Sequence, residues 1–323
     1  MPGATLDFAR SLARHLRWGM RFALRCLLLP LLAWAAGAET RFTVATYNVE
    51  NYHLRAFGNR QTKAPEARAK VVAHLAAIKP DVLAVQEMGE LAALRELQAA
   101  LGKAGVDLPY LEHVTGWDTN IFVGVLSRFP VTARNHHTND SFLLNGRRFY
   151  SSRGVAEVEL KVTDNYRFTL LTTHLKSKRQ VAEADEAELR EQEAVLMRQH
   201  VDALLAKNPQ ANVLVCGDFN DTKDARSTRA LLGRGAAGLV DTRPAEKNGD
   251  NLPAERPTWD PRNVTWTHFY GKEDSYSRLD YILLSRAMAK EWRKDGSYVF
   301  TAPNWGLASD HRPVVCEFVA EDK

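Results

Sequence analysis

One repeated pattern constrains this chain more than any other feature: short apolar segments of strand length, each ending on a small cluster of acid, amide or imidazole side chains. Residues 41–47 alternate apolar and polar as a half-buried strand does and run into Asn48. Residues 81–86 read as a buried strand ending on Gln86-Glu87. Residues 168–173 end on Thr173-His174-Leu175-Lys176-Ser177, and residues 212–216 on Gly217-Asp218-Phe219-Asn220-Asp221. Ser309-Asp310-His311 precedes a last strand at 314–319. Loops at strand ends are where a rigid β scaffold presents its chemistry, so the chain reads as a strand-built enzyme with a site gathered from distant segments.

The remaining segmentation fits that reading. Pro65 opens a helix with Val71, Val72, Leu75 and Ile78 on one face, and Pro80 ends it. A second helix is expected over 90–101 and a long one over 182–207; further strands fall at 121–126, 154–162, 266–269 and 279–284. Strands 154–162 and 168–173 form a hairpin turning at Asp164-Asn165. The acids Glu183, Asp185, Glu186, Glu188, Glu191 and Glu193 read as the solvated face of the long helix, with Arg190 and Arg198 as partners, rather than as a metal cluster. Strands occur both in neighbouring runs and with helices between them, which predicts two sheets covered by helices in one domain, residues 39–323.

Charge narrows the partners. The net charge is +4, and the first 38 residues carry five Arg against one Asp, so the remaining 38 basic and 38 acidic residues balance. An anionic partner must be met by a local patch rather than by the field of the whole domain. The basic start, the apolar run 26–34 and Ala36-Gly37-Ala38 read as a signal peptide over residues 1–38, with Met20 as an alternative start. That run is too short to span a bilayer comfortably; export is favoured over a permanent amphipathic anchor, so no transmembrane span remains after its removal and the domain is expected in the periplasm or outside the cell. Cys216 and Cys316 lie in apolar runs; export permits a disulfide, and two buried thiols are the other reading.

The clusters match what phosphoester cleavage requires. A hard cation takes oxygen ligands, which Asn48, Glu87 and Asp310 offer. Attacking water needs a base or orienting group, and Asp218 with Asn220 fits. Charge on phosphate oxygens can be met by His174, His311, Arg153 or Lys176, and Asp280 is the candidate carboxylate to orient His311.

Taken in order, Tyr47-Asn48, Gln86-Glu87, Ser127-Arg128-Phe129-Pro130, Thr173-His174-Leu175, Gly217-Asp218-Phe219-Asn220, Arg278-Leu279-Asp280-Tyr281-Ile282 and Ser309-Asp310-His311-Arg312-Pro313 resemble the endonuclease/exonuclease/phosphatase superfamily. The resemblance runs from about Phe42 to the last strand. It implies an α+β fold, a four-layer α/β/β/α sandwich of two mainly antiparallel sheets flanked by helices (DNase I-like). It further implies Asn48, Glu87 and Asp310 on the metal side, with Mg²⁺ as the ion and Mn²⁺ or Ca²⁺ as alternatives. Asp218 and Asn220 would activate water, Asp280 would orient His311, and Arg153 would contact phosphate. His174 stands where DNase I-like enzymes and sphingomyelinases carry a histidine, and the inositol phosphatase signatures are absent. Lys176-Ser177-Lys178-Arg179 resembles the basic stretch of exported bacterial nucleases, and Trp117, Tyr150, Trp266 and Tyr270 could stack on bases if exposed. The expectation is a monomeric phosphodiesterase acting on nucleic acid. Phosphomonoester or phospholipid head-group hydrolysis, and a binding module that has lost catalysis, are the alternatives.

Overall fold

The computed structural model describes residues 39–247 and 263–323, so the signal-peptide reading, the Met20 start and Cys26 lie outside the described residues. Residues Arg41–Lys323 group as one unit of two six-stranded sheets.

The first sheet is built from both ends of that unit. It contains β1 (Arg41–Tyr52), β2 (Val82–Met88), β3 (Tyr110–Val114) and β4 (Phe122–Ser127) from the early chain. The second contains β5 (Val131–Arg134), then, past the small hairpin of β6 (Ser141–Leu144) and β7 (Arg147–Tyr150), β8 (Ala156–Lys161), β9 (Arg167–His174), β10 (Val213–Asp218) and β11 (Val240–Asp241). A second hairpin of β12 (His268–Tyr270) and β13 (Ser275–Ser277) leads to β14 (Asp280–Leu284), which completes the second sheet. The chain then returns to the first sheet with β15 (Trp292–Val299) and β16 (Val314–Val319). The strand orders are β15-β16-β1-β2-β4-β3 and β11-β14-β10-β9-β8-β5.

Each sheet has a single parallel pair, β1 with β2 and β9 with β10, and is otherwise antiparallel. A parallel pair needs a crossover, supplied by α1 (Pro65–Ile78) in the first sheet and α3 (Glu186–Lys207) in the second. Helices α2 (Leu91–Lys103) and α4 (Arg226–Leu232) complete the outer layers. The carboxyl ends of the two parallel pairs carry Asn48, Glu87, His174 and Asp218, the position at which open α/β units bind ligands.

Three apolar clusters show the four layers. Phe42 and Val44 of β1 meet Leu214 and Cys216 of β10 between the sheets. Ala45, Tyr47 and Val49 face outward onto Val71, Leu75, Leu94 and Leu97 of α1 and α2. Val213 and Val215 face Ala194, Met197 and Val201 of α3. From Val44 to Tyr47 the strand is therefore buried on both faces rather than half-buried, because a helix layer covers the face that alternation assigned to solvent, while Arg41 stays exposed and Thr43 partly so. Cys216 and Cys316 are both free and buried between the sheets, where burial pushes each thiol up to about 12.

The long helix differs from its sequence reading. Asp185 caps it, accepting from the amides of Ala187 and Glu188. Glu193 is buried rather than solvated: its two oxygens accept from the amides of Ser152 (2.7 Å) and Lys176 (2.6 Å). Arg190 is buried too and pairs with Asp221 at 2.9 Å, while Arg198 binds Asp202 at 2.6 Å and three backbone carbonyls. The polar residues of α3 thus anchor loops on the second sheet.

Candidate active site

Asp218 closes β10 opposite His174 on one side and Asp280 on the other. Gly217 makes that approach possible: at φ 137° a Cβ there would lie 2.0 Å from the carbonyl oxygen of Thr173. The Asp218 carboxylate is buried, and its Oδ2 is met by Asn48 Nδ2 at 3.0 Å, His174 Nε2 at 3.4 Å and His311 Nε2 at 3.7 Å. The Asn48 contact joins the first sheet to the second. Below it Gln86 makes a similar link, donating to Thr46 and Thr172. Gln86 is buried and fully engaged there, so it fastens the sheets beneath the site.

His311 is fixed from three directions. Its Nδ1 lies 2.7 Å from Asp280 Oδ2, and its amide donates to Ser309 Oγ, which in turn donates to the Asn48 carbonyl. Asp280 is set by Thr267, whose hydroxyl oxygen accepts from the amides of Leu279 and Asp280 at 3.0 and 3.1 Å.

Electrostatics separate the two histidines. Burial opposes a charge on His311, but Asp280 and Asp218 outweigh it and hold its pKa well above the ordinary histidine value. Burial drives His174 well below that value, and Arg153, His311, Arg60 and Lys176 add to the effect. Imidazoles 3.4 and 3.7 Å from one oxygen are therefore biased towards opposite charge states. Burial, reinforced by Asp280, pushes Asp218 up to about 6 against the opposing charge of His311 and the donors Asn220 and Asn48.

Glu87 has φ 58°, and its oxygens meet the Asn48 amide at 3.4 Å and the Asn51 backbone N–H at 3.0 Å. Glu50 (φ 45°), Asn51 (φ 50°) and Asn220 (φ 53°) also adopt left-handed backbone at this rim. Asp310 is half-buried; desolvation acts to raise it, but the nearby His268 imidazole and the charge of His311 hold it below the usual carboxylate range. Asn220 donates its backbone N–H to Asp218 Oδ1 and its side-chain amide to Leu175 O.

The structure thus gathers Asn48, Glu87, His174, Asp218, Asn220, Asp280, Asp310 and His311. Asn48 and Lys176 depart in detail from the roles expected of them. Asn48 turns its amide nitrogen toward Glu87, Asp218 and His311, while its oxygen accepts from the Glu50 N–H, so in this orientation it organises the acids. Lys176 directs its ammonium to the carbonyls of Ser177 (2.9 Å) and Arg179 (2.7 Å), shaping its own loop instead of presenting a free cation. Arg153 is buried, its Nε has no hydrogen-bond partner, and its contact to Asp118 is a long 3.8 Å. Beside it Trp117 and Tyr150 stack at 4.2 Å and 8°, both exposed. Trp266 packs against Arg312 and Trp305, whereas Tyr270 is exposed.

Four neighbours escaped the sequence reading. Glu50 adds a carboxylate near Glu87 and Asp310, and burial with those acids raises its pKa. Buried Lys63 donates to the Glu50 carbonyl at 2.9 Å and lies 3.6 Å from its carboxylate. Arg60 binds Asn51 at 2.8 Å and leaves Nε without an acceptor. His268 lies 3.6 Å from Asp310 and packs on His311. Glu50, two residues past Asn48, would have been found by extending β1; the cations come from an irregular loop with no periodic signal.

The donor set suits a divalent ion. Glu87, Glu50 and Asp310 concentrate negative charge at one rim, and donor atoms of Asp218, Asp280 and His311, and of His268, Asp310 and His311, lie within 4.8 Å of one another. Oxygen-rich carboxylate donors favour hard ions of the Mg²⁺ type.

The model of the Endonuclease/Exonuclease/phosphatase family matches residues 45–311, and the chain belongs to that family. Its members hydrolyse phosphoesters, mostly with divalent metal. Among solved structures, sphingomyelinase C from Streptomyces griseocarneus is similar at 20% identity, with a TM-score of 0.59 over 86% of this chain and 99% of that one. The human Nocturnin catalytic domain with bound sulfate is similar at 16% identity and a TM-score of 0.58, covering 88% and 97%. An endonuclease/exonuclease/phosphatase from Bacteroides vulgatus is similar at 14% identity and a TM-score of 0.60, covering 88% and 100%. These likenesses establish the DNase I-like sandwich. No curated protein matches the sequence.

Proposed function

We propose that this chain is an exported, monomeric phosphodiesterase that hydrolyses nucleic-acid phosphodiester bonds with Mg²⁺ or a similar divalent ion. The observation that carries this reading is Arg153, a buried guanidinium with an unmet donor, beside the exposed Trp117–Tyr150 stack. The charge of Arg153 reaches His174 and favours a phosphate group there, and an aromatic face at the rim suits a neighbouring base. The leader sequence supports export, and no described helix is long and apolar enough to cross a membrane.

Glu87 and Asp310, with Asn48 and Glu50 beside them, would hold the ion, which supplies charge neutralisation on the phosphate. Asp218 accepts the proton of the attacking water; raised to about 6, it is a stronger base than an ordinary aspartate and still ionised at neutral pH. Asn220 holds Asp218 Oδ1 in place. His311, kept cationic by Asp280, and Arg153 offset charge developing on the phosphate oxygens, and His311 gives its proton to the departing oxygen as the P–O bond breaks, while neutral His174 donates a hydrogen bond without adding charge.

The deciding experiment is a panel of plasmid DNA, RNA, a bis-phenyl phosphodiester, sphingomyelin and phosphomonoesters, with Mg²⁺ or Mn²⁺ and with chelator. Cleavage of DNA or RNA is expected. Phosphate release from monoesters or sphingomyelin alone overturns the nucleic-acid reading, and full activity in excess chelator overturns the metal.

A further inference from the structure

A second gathering of metal-ligating groups lies away from that site, where the β6–β7 hairpin meets helix α3. His137 sits in the segment before β6, held by reciprocal 2.9 Å backbone hydrogen bonds with Val155. Asp140 immediately precedes β6, His200 projects from α3, and Glu157 stands on β8. His200 Nε2 lies 2.6 Å from Asp140 Oδ2, and His137 Nε2 lies 2.7 Å from Glu157 Oε2. The two rings stack face to face at 3.5 Å and 12°. Donor atoms of His137, Asp140 and His200 fall within 4.8 Å of one another.

Four ligating side chains therefore converge on one small volume, two imidazoles lying face to face with a carboxylate oxygen at the Nε2 of each. One divalent ion on two neutral imidazoles and two carboxylates would balance the charge. The side chains of His137, Asp140 and His200 are 15, 19 and 18% exposed, so an ion can reach them from solvent. Two nitrogens with carboxylate oxygens suit zinc better than magnesium.

We propose that His137, Asp140, Glu157 and His200 form a zinc site separate from the catalytic centre. Zn–N bonds of about 2.0–2.1 Å set tetrahedral donors roughly 3.4 Å apart, so binding would part the two hydrogen-bonded donor pairs, now at 2.6 and 2.7 Å, and splay the rings out of their stack. The consequence reaches the substrate side. The hairpin runs through Tyr150 into Ser152 and Arg153, and α3 carries the Glu193 that holds the amides of Ser152 and Lys176. Zinc would staple those two supports to each other.

The test uses the whole chain with Zn²⁺ as the probe, read by calorimetry and by elemental analysis after dialysis. A Glu87→Gln/Asp310→Asn variant, weakened at the catalytic centre, is expected to retain one tightly bound zinc per chain. A His137→Gln/His200→Gln variant is expected to lose that equivalent, together with the zinc-dependent rise in Tm. Zinc that disappears in the first variant or persists in the second overturns the proposal. Should the histidine variant fail to fold, Co²⁺ bound to the first variant decides: intense four-coordinate visible bands support the site, and weak octahedral bands refute it.

Discussion

Glu193 offers the sharpest test of how the second sheet supports the candidate site. Its carboxylate, buried in the middle of α3, accepts 2.7 and 2.6 Å hydrogen bonds from the amides of Ser152 and Lys176. Those amides belong to two separate loops, one leading to Arg153 and the other following His174. Glu193→Ala leaves both N–H groups without an acceptor, at about 1–3 kcal/mol for each unmet donor, so a loss of about 2–6 kcal/mol is expected. For a domain of this size that corresponds to a Tm lower by roughly 3–10 °C. Glu193→Gln keeps one acceptor oxygen but turns an amide N–H₂ toward the other N–H, and should recover at most half of the loss. The assay is urea unfolding with parallel measurement of KM, which is expected to rise as Arg153 loses its support. If Glu193→Ala unfolds within about 0.5 kcal/mol of the parent, the two hydrogen bonds do not carry the loops and the reasoning fails.

Other outcomes follow from the same contacts. His311→Ala should lower kcat roughly 10²–10⁴-fold, and turnover near the parent value would remove His311 from the chemistry. Asp280→Asn should cost about 10–100-fold and lower the pH at which His311 loses its proton, read by NMR titration; an unmoved titration would show that Asp280 does not set it. Burial pushes Glu291 up to about 7 from 4.5 even though Tyr166 donates to it, so its folded pKa is raised. Its contribution to stability is therefore present in full below about 4.5 and lost as pH rises through about 7. Discounted for solvent screening, this amounts to about 1–2 kcal/mol that Glu291→Gln should spare at pH 8; equal pH dependence in both proteins would contradict it. Gly217→Ala should destabilise by roughly 2–4 kcal/mol, because its Cβ would meet Thr173 O at 2.0 Å; a stable, active variant would mean that β9 and β10 can separate there.

Much of this architecture was legible because its signals are local. Pro65 and the apolar face of α1, the alternation in β1, and the apolar run of β10 each identify their element without knowledge of the rest. The polar clusters were legible because they recur at strand ends. What escaped depends on tertiary context. Glu193 looks like one acid among six until two loops are folded onto α3. Lys176 reads as a phosphate ligand until its loop closes around its ammonium. Strands β5 and β15 are only partly buried, and their polar residues mask the alternation that marks β1. Arg60 and Lys63 reach the site from a loop whose path no sequence period encodes.

The register of the first sheet also governs the order in which the molecule can be made. Arg41 pairs with Val319 and Thr46 with Val314, so a central strand of that sheet waits for partners about 270 residues downstream. The entire second sheet lies in the chain between them. During synthesis, β1 must remain unpaired on its β16 edge until the last strand emerges. Cutting back even the final strand would expose a fresh edge along β1 and loosen the sheet that carries Asn48 and Glu87.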